Sequence, residues 1–281
     1  MSMMMRRLEL PDQTVSYALR PGPVGGGRAP LVLLHGGALD ARLWSPQIDA
    51  FPERTVIAPD ARGHGGSSDA TGPHRLTDDL VALLDALEIP RAVLVGLSMG
   101  GGTAVDTALE HPGRVAALVV SGTGTSEPVF TDPWCLETFR RWRQAEQNGD
   151  LDAWIDAFMT FTAGPARARD DVDPGVWELV ESMARETVAG HLRVDEHGVP
   201  IPPAPPVPVT RTWERLGQVE VPVLALCGAQ DGTDHRAMGE RLARSVPHGD
   251  HREVPGAHYP NLEDPEVFTA EVRAALARWG I

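Results

Sequence analysis

Residues 93–104 read VLVGLSMGGGTA: an apolar run ends at Ser98, with Gly96 two places before it and Gly100 two places after. A strand that turns this tightly into a helix forces its middle residue into a strained conformation and crowds the neighbouring backbones, so the flanking positions need almost no side chain. The result is a hydroxyl raised above the carboxyl edge of a sheet, beside a helix N-terminus whose free N–H groups stabilise an anion. That is where a nucleophile belongs. A serine hydroxyl is a poor one at neutral pH, so it needs a base, and the base needs an orienting acid.

In a strand–turn–helix arrangement of this kind the acid comes first along the chain and the histidine last. The run VPVLALCG ends in GAQDGTD, which puts Asp231 in the loop beyond it as the expected carboxylate. Asp234 is the runner-up, with capping of the next helix as its simpler role. In HREVPGAHYPNLEDP, His258 follows the last short strand and is the expected base; His248, in the turn PHGD, and His251, at the start of that strand, are rivals on order alone. The oxyanion of acyl transfer needs two N–H donors. Met99, at the helix start, supplies one, and Gly37 in HGGALDARLW supplies the other, its missing side chain letting the amide come close. No two histidines stand at helical or loop spacing with a carboxylate partner, so no metal site is expected, and His64 in DARGHGGSS reads as a polar turn residue. No cofactor is needed for this chemistry.

These side chains must be positioned by the elements around them. A hairpin (Arg6 to Leu10, Thr14 to Leu19) and the turn PGPVGGGRAP precede LVLLH at Leu31 to His35, a strand buried on both faces, as are TVIAP (Thr55 to Pro59) and AVLVG (Ala92 to Gly96). LTDDLVALLDALEI spaces leucines helically from Leu76 to Leu87, with Thr77 as its N-cap. A second helix runs from the serine to Glu110, and VAALVVSG (Val115 to Gly122) is another buried strand. Strands joined by helical crossovers make an α/β core, a mostly parallel central sheet with helices on both faces. From residue 123 to 212 the pattern changes to helical stretches (Leu136 to Gln147, Leu151 to Phe161, Val176 to Ala189) and then PIPPAPPVPV at Pro200 to Val209. The alternation resumes with Val221 to Gly228, a helix from His235 to Ser245, HREVPG and a closing helix from Pro265 to Trp279. The organisation expected is a core of residues 1–122 and 213–281 carrying a helical cap, 123–212, with the proline stretch as its extended return path.

Composition narrows the partners. The chain has 281 residues, 42% apolar, and a formal charge of -14 that repels phosphate backbones and anionic lipid, which argues against nucleic acid and membrane. Cys135 and Cys227 lie far apart, the second in an apolar run, and read as buried thiols. MSMMMRRLEL lacks the apolar core of a signal peptide, and no stretch approaches the roughly 20 apolar residues of a membrane span, so a cytoplasmic setting is expected.

LLHGG (33–37), PDARGHGGSS (59–68), GLSMGG (96–101), GAQD (228–231) and GAH (256–258), in this order, resemble the α/β-hydrolase superfamily over nearly the whole chain outside the middle block. DARGHGGSS, LLDAL, GLSMGG and GAHYPNLEDPEVF are similar to the 3-oxoadipate enol-lactonase group and its esterase relatives. The resemblance implies Ser98 as nucleophile, His258 as general base and then acid, Asp231 as orienting carboxylate, and the Gly37 and Met99 amides as oxyanion hole, in agreement with the residue-level reading. A serine at the elbow sets the chain apart from haloalkane dehalogenases and epoxide hydrolases. The expected activity is hydrolysis of a small carboxylic ester or lactone through an acyl-enzyme. The same fold and triad also serve C–C bond hydrolysis, acyl transfer, perhydrolysis and lyase-type steps, and a non-catalytic binding scaffold would be expected to have lost these residues. Of the middle-block aromatics (Trp134, Phe139, Trp142, Trp154, Phe158, Phe161, Trp177), most are expected to pack the cap and one or two to line a pocket for an apolar or aromatic substrate. Arg140, Arg141 and Arg143 read as a solvated helix face rather than a carboxylate clamp.

Overall fold

A computed structural model describes residues 4–23, 27–194, 196, 200–201 and 204–281; parts of the PGPVGGGRAP turn and of the proline stretch lie outside the described residues. Among the described residues, eight strands form one sheet: β1 (Met5–Leu10), β2 (Gln13–Arg20), β3 (Leu31–Leu34), β4 (Val56–Pro59), β5 (Ala92–Leu97), β6 (Val115–Ser121), β7 (Val223–Gly228) and β8 (Gly249–Val254). Their spatial order is β1-β2-β4-β3-β5-β6-β7-β8. β2 runs antiparallel to both neighbours, and every pairing from β4 to β8 is parallel.

Every residue of β3, β4, β5 and β7 is buried, which is why these strands read as unbroken apolar runs rather than alternating ones. The edge strand β8 instead carries Asp250, Arg252 and Glu253, charges that discourage pairing with another chain.

The principal helices are α1 (Leu76–Ala86), α2 (Met99–Glu110), α3 (Pro133–Asn148), α4 (Leu151–Ala163), α5 (Pro174–His191), α6 (Thr233–Ser245) and α7 (Pro265–Trp279). Alternate residues of one strand serve opposite faces. Leu31, Leu33, Val93 and Val95 pack with Phe268 and Leu276 of α7, while Val32 and Leu94 pack with Leu80 of α1, Val105 of α2 and Leu242 of α6. No described helix is long and apolar enough to cross a membrane.

Between β6 and β7 the chain forms α3, α4 and α5. Each starts at an aspartate whose carboxylate accepts first-turn amides: Asp132 from Trp134, Asp150 from Ala153, Asp173 from Gly175 and Val176. Ile155, Phe158, Val180 and Met183 of α4 and α5 join the same apolar cluster as α7, so this segment is seated on the sheet core. Beyond α5, Arg193–Val194 pairs with Pro200–Ile201 in a two-residue ladder, and the described proline stretch from 204 onward has no regular structure. It is tied down where the Val207 amide donates to the His74 carbonyl at 2.7 Å.

Two capping expectations are corrected. α1 begins at Leu76 with Arg75 as N-cap and no side-chain bond; Thr77 falls inside the first turn and is buried, while Asp78 and Asp79 supply the negative charge that a helix start favours. α6 is capped by Gly232. Asp234 turns away to accept the Thr131 and Asp132 amides, both at 2.7 Å, and so straps the entry of α3 to the core.

Cys135 and Cys227 are both free and buried. Burial pushes each thiol up to about 12, so at pH 8 the reactive thiolate is scarce in the folded chain. Titration with Ellman's reagent at that pH should therefore give almost no reaction before unfolding and both thiols after denaturation.

Candidate active site

Ser98 joins the end of β5 to the start of α2 with φ 54° and ψ −116°, a conformation that costs a residue with a side chain about 1–3 kcal/mol. Its amide donates to the Ser121 carbonyl at 2.8 Å, and its carbonyl accepts from Gly102 at 3.0 Å. A Cβ on Gly96 would lie 2.2 Å from the Gly100 carbonyl oxygen, and one on Gly100 would lie 2.2 Å from that of Leu34. Both positions flanking the serine are therefore filled by backbone, as the spacing predicts.

Asp231 follows β7 and His258 follows β8. The two loops are stitched together by Ala229 N–H to Val254 O at 2.8 Å and Gln230 N–H to Gly256 O at 2.9 Å. His258 Nδ1 then lies 2.8 Å from Asp231 Oδ2, both side chains buried. Burial alone would push the Asp231 carboxyl up; the His235 and His258 rings beside it outweigh that and hold it below the usual carboxylate range. His258 also packs on the end of β6, where a Cβ at Gly122 would come within 2.8 Å of its Cε1. Because Ser121 bonds the Ser98 amide, the ring and the serine flank the same turn. The rivals are elsewhere: Asp234 is engaged with α3, His251 lies within β8, and His248 is exposed in the turn before it.

His235 was not foreseen. It is buried, its Nδ1 is 3.1 Å from Asp231 Oδ1 yet outside hydrogen-bond alignment, and its ring centroid is 4.5 Å from that of His258. Asp231, His235 and His258 each offer a ligand atom, all within 4.8 Å of one another, a grouping that the spacing of histidines along the chain did not announce. Such a donor set can take a transition metal; here the carboxylate oxygens already accept from His258 and, at 2.7 Å, from the Gly232 amide. The sequence signal was the Asp-x-x-x-His spacing across the start of α6. Phe161 (5.6 Å to His235, 5.7 Å to His258) and Phe130 (5.4 Å to His235) wall the pair.

The Met99 amide lies in the first turn of α2, where no carbonyl within the helix can serve it. Gly37 lies in the loop after β3, but a Cβ there would meet nothing within 4 Å, so the absence of a side chain is not what this position requires. The close approach is one residue earlier, where a Cβ on Gly36 would sit 3.5 Å from the Ser98 Cβ. His35 holds this loop: buried, it meets the Gly36 carbonyl through Nδ1 (2.7 Å) and the Ala61 N–H through Nε2 (2.8 Å). Since Nε2 must accept, Nδ1 carries the proton and donates, and burial lowers the pKa to keep the ring neutral. Asp60 accepts from Ala41 (2.8 Å) and Gly66 (2.9 Å), and Arg62 forks onto Asp79 (2.9 and 2.6 Å). The PDARGHGGSS motif is thus a brace for the serine's neighbours. Its His64 ring faces His35 at 5.2 Å, and burial pushes it down to about 4.

A cavity of about 330 Å³ opens beside Ser98, walled by Met99, Thr123, Phe130, Val207 and His235. None of the seven aromatics named from the sequence lines it; Phe130 does. Trp142, Trp154 and Phe158 pack on one another with centroids 4.7–5.6 Å apart, because ring-on-ring burial inside the helical segment satisfies them first. Arg140, Arg141 and Arg143 are exposed, Arg140 pairing with Glu137.

Residues 29–265 match the family model described as the alpha/beta hydrolase fold. Among similar proteins, 3-oxoadipate enol-lactonase 2 of Acinetobacter baylyi is 28% identical over 90% of this chain and 90% of its own. The pimeloyl-[acyl-carrier protein] methyl ester esterase of Pectobacterium atrosepticum is 30% identical over 89% and 95%. The crystal structure of the enol-lactonase from Burkholderia xenovorans LB400 superposes with a TM-score of 0.77 at 23% identity, covering 97% of this chain and all of that one, a likeness of fold.

The elbow geometry predicts that Gly96→Ala, which drives a methyl into the Gly100 carbonyl, destabilises the chain by about 3 kcal/mol or more, read as a lowered midpoint in urea unfolding.

Proposed function

The chain belongs to the alpha/beta hydrolase fold family and is a hydrolase, and from that premise we propose that it cleaves a small-molecule carboxylic ester or lactone through an acyl-enzyme on Ser98. The observation that carries this reading is the 2.8 Å bond between His258 Nδ1 and Asp231 Oδ2 beside the strained serine. An ionised Asp231 accepts, so the proton sits on Nδ1 and Nε2 is left as the base. His258 Nε2 takes the Ser98 hydroxyl proton as Oγ attacks the substrate carbonyl. The oxyanion then faces the Met99 and Gly37 amides. When the tetrahedral intermediate collapses, His258 returns the proton to the leaving alcohol oxygen. Water enters, gives its proton to the same nitrogen, attacks the acyl carbon and releases the acid, restoring Ser98.

The relatives named for a lactone and for a methyl ester support this substrate class. The apolar walls formed by Met99, Phe130 and Val207 suit a hydrocarbon portion of the substrate. The sequence contains no lysine, so a lysine nucleophile is not an alternative.

Ser98→Ala should reduce turnover of an activated ester by several orders of magnitude and abolish labelling by a fluorophosphonate probe; retention of wild-type turnover would sink the reading. Asp231→Asn leaves the shape intact but lets Nδ1 serve as acceptor, so kcat should drop by about 10³–10⁴-fold, the scale seen when a triad loses its orienting carboxylate.

A further inference from the structure

The cavity that begins at Ser98 ends at a carboxylate. Asp106 lies on α2 and lines the same cavity as Ser98, Met99 and Thr103, and it is 6% exposed. Met99, Thr103 and Asp106 stand four and seven residues along the helix and so share one face. Asp106 stands eight positions beyond Ser98, about 12 Å along the helix axis. Among the described residues its one hydrogen-bond donor is the Ser126 hydroxyl, at 2.9 Å to Oδ1. A carboxylate this buried is normally paired with a cation or several donors.

The neighbouring guanidiniums are not available to it. Arg75 and Arg215 are both committed to Glu110, at 2.9 and 2.6 Å. Glu127, in the loop after β6, adds a further negative charge and accepts from the Thr212 hydroxyl and amide and the Arg211 amide. Among the described residues, three carboxylates therefore face two guanidiniums around this end of the cavity, and no arginine lines the cavity itself. Burial, then the charges of Glu127 and Glu110, against the Ser126 hydrogen bond and Arg215, push the Asp106 carboxyl up to about 7.

We infer that the substrate of this hydrolase carries a positively charged amino group, held by Asp106 at the far end of the cavity while its ester or lactone carbonyl lies at Ser98. The inference rests on the acyl-enzyme reading and adds the substrate class. The apolar walls accept the linker, and the helix spacing sets it at about five or six methylenes. An ammonium supplies the charge and donors that Asp106 lacks. A carboxylate-bearing substrate is disfavoured at the same point by like-charge repulsion.

Two matched pairs test it, because the cation can sit on either side of the scissile bond. The p-nitrophenyl ester of ε-aminocaproic acid is compared with p-nitrophenyl heptanoate, and the acetate of aminohexanol with heptyl acetate. In one pair kcat/KM should favour the ammonium member at least about tenfold, the factor of a charge-assisted hydrogen bond. Asp106→Asn, which keeps the shape and the Ser126 partner, should bring that ratio within about twofold of one. In the wild type the ratio should grow from about pH 6 to about pH 8 as Asp106 ionises while the ammonium stays charged. This last measurement needs no variant to fold. The inference is overturned if neither pair shows the preference, if the preference survives Asp106→Asn, or if the ratio does not rise with pH. Neutral esters turned over by the wild type and not by Ser98→Ala would show that the acyl-enzyme reading stands even then; no turnover of any ester would remove both.

Discussion

The rim of the sheet that carries Ser98 depends on one strained backbone. Ser98 sits at φ 54° because its neighbours leave it no alternative: Gly96 is pressed onto the start of α2, and Gly100 onto the end of β3. The cost of that conformation is met by the burial of β3, β5 and β6, whose side chains pack helices on both faces. Relaxing the turn would mean separating strands from α2, so the strain persists. In return the serine oxygen stands at the end of the sheet beside a helix N-terminus with unserved amides.

The second constraint is electrostatic. Asp231 is buried and stays ionised only because imidazoles and an amide surround it, and a carboxylate so held leaves His258 one orientation and one tautomer. The loops that carry this pair also anchor the helical segment. Asp234 binds the entry of α3, and Arg167, just past α4, forks onto Glu263 at 2.6 and 3.0 Å while Glu263 accepts the Ala257 amide. Phe161 of α4 completes the contact by lying against both histidines. The wall of the cavity and the Asp231–His258 pair therefore share supports, and displacement of one disturbs the other.

Charge gives the cavity its character. The chain as a whole is strongly acidic, and among the described residues the cavity extends that bias inward to Asp106 without an arginine on its lining. On the proposed reading, an apolar passage with an anionic end would distinguish substrates by the sign of a remote group, a contact that the reacting carbonyl cannot supply.

Much of this was legible in the sequence because it is local. The buried strands are unbroken apolar runs, and the elbow is a glycine–serine–glycine spacing. Asp231 and His258 follow from chain order and from standing just past strands that end at the same rim. What pairs across the fold was not legible. That His235 reaches the same carboxylate, that Asp234 serves α3 rather than its own helix, and that Asp106 ends the cavity of Ser98 all depend on elements distant in sequence coming together. Periodicity and turn chemistry act over a few residues and determine the elements and their faces. Which buried polar groups meet is decided only when the sheet closes and water is excluded, because only then must each find a partner among the groups that tertiary packing has brought within reach.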